Sequence, residues 1–151
     1  MNFRRKLLVV GAVALAGLVS MAGAAGAGGR PLSTDLIGAE EVPGPGDPNA
    51  TGQIDLTLNQ GQGEICFDLS WSDIDGTVNA AHIHLAPAGV AGGVVVPLPL
   101  TTSAGTGESS GCVDVDQDLI KAIRQDPSAY YVNVHSLPSF GPGAVRGQLG
   151  D

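Results

Sequence analysis

Aromatic residues are scarce, with three Phe, two Tyr and one Trp among 151 residues. The apolar share of 43% still supports a packed core, so that core must be mainly aliphatic. Charged residues make up only 15%, which excludes a coiled coil and a charge-driven disordered chain. Basic residues are the scarcest class for their importance: seven Lys and Arg stand against fifteen Asp and Glu, a net charge of −8. Phosphate neutralisation needs the opposite sign, so nucleic acid is excluded as a partner. The length suits one domain rather than two, and there are no internal repeats.

Three of those seven bases, Arg4, Arg5 and Lys6, sit together before the apolar run Leu7 to Val19. The small residues Ala22-Gly23-Ala24 and Ala25-Gly26-Ala27 follow, in the small-x-small arrangement of a signal-peptide cleavage site. We expect a signal peptide over residues 1–27, cut after Ala24 or Ala27, and one domain over 28–151. The rival is a membrane anchor, disfavoured because the second half of the uncharged stretch is mostly Ala and Gly. Arg4-Arg5 also has the minimal twin-arginine layout, with Phe3 in place of the usual polar residue; ordinary secretion is the preferred route. No Cys follows the apolar run to take a lipid. The mature chain keeps all fifteen acids and four bases, Arg30, Lys121, Arg124 and Arg146, a formal charge of −11. Such a chain is soluble outside the cell and, after cleavage, has no membrane partner.

Only two cysteines are present, Cys66 and Cys112. In an exported chain an even pair reads as a disulfide, and the spacing fits no zinc motif.

After the leader the chain is punctuated by Gly and Pro, with period-two alternation between the breaks. Ile54, Leu56 and Leu58 alternate with polar residues, as do Ile65, Phe67, Leu69 and Trp71, with Gln60–Gly63 as the hairpin turn between them. Further strands are expected over Leu32–Ile37, Val78–Leu85, Val94–Leu98, Gly111–Val115, Tyr130–His135 and Ala144–Leu149. One short helix is expected over Asp116–Gln125, capped by Asp116 and ended by Pro127. The fold class is therefore all-β: an antiparallel, Greek-key-like β-sandwich or flattened barrel with one short helix.

The three histidines carry the main chemical signal. His82 and His84 are two apart on one expected strand and so share a face, with Cα atoms roughly 6.5–7 Å apart. His135 shares its strand face with Asn133 and Tyr131. A His-x-His strand joined by a third His suits zinc or copper, with Asn133 or Tyr131 supporting the ligands. The competing account is a hydrogen-bonded cluster that merely orders the sheet. Gly107-Glu108-Ser109-Ser110-Gly111 matches Gly-x-Ser-x-Gly but lacks the strand-turn-helix context and reads as a turn. Asp73-Ile74-Asp75-Gly76 lacks the bidentate Glu of a calcium loop and reads as a hairpin turn. Arg146, with Glu40 and Glu41, is expected to form an ion pair fastening the last strand to the first. No catalytic residue is assigned.

Ala81-His82-Ile83-His84, followed by Gly89, Gly92-Gly93 and Val94-Val95-Val96, resembles the centre of the CHRD domain, the module repeated in the extracellular protein chordin. Leu36-Ile37-Gly38-Ala39-Glu40-Glu41-Val42-Pro43 ahead of Ala50-Thr51-Gly52 resembles the family's opening. Tyr131-Val132-Asn133-Val134-His135 with Arg146-Gly147-Gln148-Leu149 resembles its close. The resemblance covers about residues 32–150 and implies an extracellular β-sandwich of undefined molecular role; we read the chain as a secreted single-domain module that acts by binding an extracellular protein or ligand. The chain departs from the family pattern at the Leu137–Pro142 loop and at Ala144, where an acid is common. The His-x-His strand is also similar to that of the copper and zinc superoxide dismutases, which keeps a copper- or zinc-dependent metalloenzyme open as an alternative. Only three histidines exist here, so the remaining ligands of that family have no counterparts. A purely structural module is the third alternative.

Overall fold

Across the first hairpin, Ile54 faces Leu69, Leu56 faces Phe67 and Leu58 faces Ile65, all six buried. Paired residues share a sheet face, so matching the alternation of two strands puts every apolar side chain on the same side. A computed structural model describes residues 28–101 and 103–150; the expected signal peptide lies outside the described residues. The elements are β1 (Arg30–Ile37), β2 (Thr51–Asn59), β3 (Glu64–Leu85), β4 (Gly93–Leu98), β5 (Ser103–Asp114), α1 (Gln117–Gln125), β6 (Tyr130–Leu137) and β7 (Phe140–Gln148). All strand pairings among the described residues are antiparallel.

The 22-residue β3 organises the molecule. Its first half lies between β2 and β5, and its second half between β6 and β4. With β1 on β2 and β7 on β6, the ring β1-β2-β3-β6-β7 closes where Ile37 meets Arg146. The result is a flattened, closed barrel with β4 and β5 added as outer strands, filled by aliphatic side chains around Phe67 and Trp71. Closing a sheet this way removes most of its exposed edge.

The segment Asp73–Gly76 is not the hairpin turn its composition suggests. It lies inside β3, where the pairing with β5 shifts register between Trp71 and Ile74 and again between Ile74 and Thr77. Asp73 and Gly76 take positive φ, 59° and 95°. Bulges of this kind bend a strand sharply, and across this bend β3 changes its neighbour in the ring from β2 to β6. A Cβ on Gly76 would lie 2.6 Å from the Leu137 carbonyl oxygen, so this close approach needs glycine. The backbone groups freed at the bend are recovered: Asp75 N–H donates to Asp47 Oδ2 at 2.8 Å, and Ser136 Oγ donates to the Asp75 carbonyl at 2.7 Å. Gly107–Gly111 likewise lies within β5 rather than in a turn. Asp116 caps α1 as expected, accepting from the N–H groups of Asp118 and Leu119, while Ile120 and Ile123 are buried.

Cys66 and Cys112 are register partners on β3 and β5 and form a disulfide, with Cα atoms 3.9 Å apart.

Candidate functional site

Register places the site. On the outer face of the second half of β3, His84 lies opposite Tyr131 and Tyr131 opposite Gln148. In the next outward row, His82 lies opposite Asn133 and Asn133 opposite Arg146. His135 follows two residues after Asn133, opposite Ala80. The intervening Ile83, Val132 and Val134 are fully buried in the core. An outer face is normally wet, yet Tyr131, Asn133, Arg146 and Gln148 are buried as well. Two segments roof them. Residues 86–92 fold back over one side, and residues 41–47 pack against β7 on the other, where Asp47 N–H donates to the Ala144 carbonyl.

The three histidines converge between these roofs. His82 Nδ1 lies 3.1 Å from His135 Nε2, and one ring nitrogen from each of the three fits within a span of 4.8 Å. His84 Nδ1 donates to the Gly92 carbonyl and His135 Nδ1 donates to the Gly141 carbonyl, both at 2.9 Å. A carbonyl only accepts, so both protons sit on Nδ1 and both Nε2 atoms carry bare lone pairs. His84 Nε2 is buried and has no hydrogen-bond partner. Burial, reinforced by His135 and then His84, lowers the His82 pKa to about 4. Burial also lowers that of His135, against the pull of its Gly141 hydrogen bond. Both shifts favour the neutral imidazole, which keeps the lone pairs of His82 and His135 available.

Tyr131 stacks on His84, the ring centroids 4.6 Å apart and nearly parallel, and carries the Arg146 guanidinium over its ring at 3.5 Å. The two must occupy opposite faces of the phenol ring, which holds His84 in a three-layer stack. The expected ion pair of Arg146 with Glu40 or Glu41 is not made as a contact. Arg146 instead donates to the carbonyls of Val90 and Pro87 and to Gln148 Oε1, at 2.9, 3.0 and 3.1 Å. A guanidinium presents a fork of donors, and backbone carbonyls of the 86–92 segment meet that fork directly. Gln148 adds a bond to the Ala86 carbonyl. Glu40 is exposed. Glu41 is buried, and a Cβ on Gly143 would lie 2.3 Å from its carboxylate, so glycine there makes the space for it. Burial raises the Glu41 pKa to about 7, opposed by the charge of Arg146, a backbone bond at Val42 and the Asn133 amide.

Sequence reasoning missed the carbonyls of Gly92 and Gly141 that set the imidazole protons, and the roofing role of residues 86–92. The available signal was the Pro87-Ala88-Gly89 and Gly92-Gly93 tract directly after His84.

The sequence profile of the CHRD domain matches residues 32–149, nearly the whole described chain. The chain belongs to the CHRD-domain family. The match spans every strand of the barrel and all residues of the cluster, so the roofed histidine face lies within the CHRD domain itself. No curated protein and no solved structure matches the chain significantly.

Proposed function

We propose that this CHRD domain is an exported binding module that holds a divalent transition metal ion, zinc or copper, through His82, His84 and His135. The observation that carries the reading is the buried, partnerless Nε2 of His84, within reach of the other two imidazoles. Burying a polar atom without a partner is costly, and a cation shared with the other two imidazoles would remove that cost for His84 Nε2. The 3.1 Å separation of His82 Nδ1 and His135 Nε2 is close to the spacing of two nitrogens on one tetrahedral zinc, about 3.3 Å for bonds of about 2.0–2.1 Å. The Nδ1–H bonds to Gly92 and Gly141 are the outer contacts that typically orient ligating imidazoles. Export is supported by the leader expected over residues 1–27, by the disulfide and by family membership. The domain proper is then residues 28–151.

The test is elemental analysis of the native exported protein, with zinc and copper titrations of wild type against His84→Ala. We expect one equivalent of metal in wild type and at least about a hundredfold weaker binding in the variant. Equal, weak binding by both would leave the cluster as a hydrogen-bonded ornament of the sheet.

A further inference from the structure

Resting on that metal reading, we infer that Asn133 supplies a fourth ligand through Oδ1, so that the protein closes the site and leaves no position for substrate. Asn133 sits in the same outward row as His82, between it and Arg146, and only 2% of its surface is exposed. Its Oδ1 lies 3.0 Å from His135 Nε2.

This contact looks like a hydrogen bond and is not one. The His135 proton is on Nδ1, committed to the Gly141 carbonyl, so Nε2 presents a lone pair to Asn133. The Asn133 amide is placed with its oxygen toward that nitrogen, 3.0 Å away. Oδ1 and His135 Nε2 then face each other as two acceptors, 3.0 Å apart. His82 Nδ1 adds a third atom 3.1 Å from the same nitrogen. Asn133 Oδ1 and His82 Nδ1 thus both lie 3.0–3.1 Å from His135 Nε2, and a ring nitrogen of His84 lies within 4.8 Å of those of the other two histidines, a spacing that suits the ligand shell of a small divalent ion.

The consequence concerns function. Zinc-type centres that catalyse keep one position open for water or substrate, whereas closed four-ligand centres bind and do not turn over. A closed site with three nitrogens and one oxygen favours the binding module over the metalloenzyme.

Cobalt(II) is the probe, added to the mature wild-type protein, to His84→Ala, and to Asn133→Asp and Asn133→Leu. We expect wild type to give an intense four-coordinate visible spectrum that azide leaves unchanged. Asn133→Asp, which keeps the oxygen, should retain affinity. Asn133→Leu should bind at least about tenfold more weakly. Its spectrum should also become azide-sensitive, a response that a merely supporting Asn133 would not produce. A structure of zinc-loaded wild type decides the matter even where a variant fails to fold: Oδ1 should lie about 2.0–2.2 Å from the ion. Water in that position, or Asn133→Leu with wild-type spectrum and affinity, would overturn the inference while leaving three-histidine binding intact. Wild type that takes up no cobalt would overturn the metal reading, and this inference with it.

Discussion

Glu41 and His82, two partly or fully buried titratable groups, pull stability in opposite directions with pH. Folding raises the Glu41 pKa from 4.5 to about 7, so across that window the folded protein holds a proton that the unfolded chain releases. Its contribution is therefore lost as pH rises from 4.5 to 7. Folding lowers the His82 pKa from 6.5 to about 4, so there the unfolded chain binds the extra proton. That contribution is lost as pH falls from 6.5 to 4. Urea denaturation of the chelator-treated protein at several pH values should show the two separately. Relative to wild type, Glu41→Gln should gain stability as pH approaches 7, and His82→Gln should gain as pH approaches 4. Parallel profiles for all three proteins would mean that neither group changes its titration on folding. The histidine face was legible because parity alone assigns it: His82 and His84 are two apart, as are Tyr131, Asn133 and His135. The partner of Arg146 was not legible. Its acceptors are backbone carbonyls at Pro87 and Val90, far away in sequence and carried by residues with no polar side chain.

Among the elements, β3 carries the greatest share of the architecture, and its bend depends on one buried carboxylate. Asp47 is 1% exposed and accepts from the N–H groups of both Asp75 and Asn49. Replacing it leaves a backbone donor unsatisfied inside the bulge, a cost of about 1–3 kcal/mol. Asp47→Ala should lower the urea midpoint accordingly, and amide exchange should quicken first at Asp75. A variant with wild-type midpoint and protection would show that water replaces the carboxylate there. The strands themselves could be read from alternation, and α1 from its Asp cap and terminating Pro. The continuity of β3 could not. Asp-Ile-Asp-Gly has turn composition whether the chain reverses or merely bulges, and only the closing of the ring decides between them.

For the whole molecule, the ring and the proposed metal site are one mechanical unit. β1 and β7 meet through the single register pair Ile37 and Arg146, and Arg146 also stacks on Tyr131 and ties down residues 86–92. His84 is held by that stack and by the Gly92 carbonyl, while His135 and Asn133 lie on β6. An ion gripping both β3 and β6 therefore binds the folded barrel and not the open chain, and must stabilise the entire domain. At free zinc a hundredfold above its dissociation constant, linkage gives about 2.7 kcal/mol. For a domain of this size that corresponds to roughly 10 °C in the thermal midpoint. The expected result is a single transition displaced upward by zinc, reversed by chelator, and absent in His84→Ala. Calcium or magnesium at equal concentration should shift it far less, because hard cations prefer oxygen shells to imidazole. An equal shift from calcium would trace the effect to the acidic surface, supplied by the fifteen Asp and Glu, and away from the histidines.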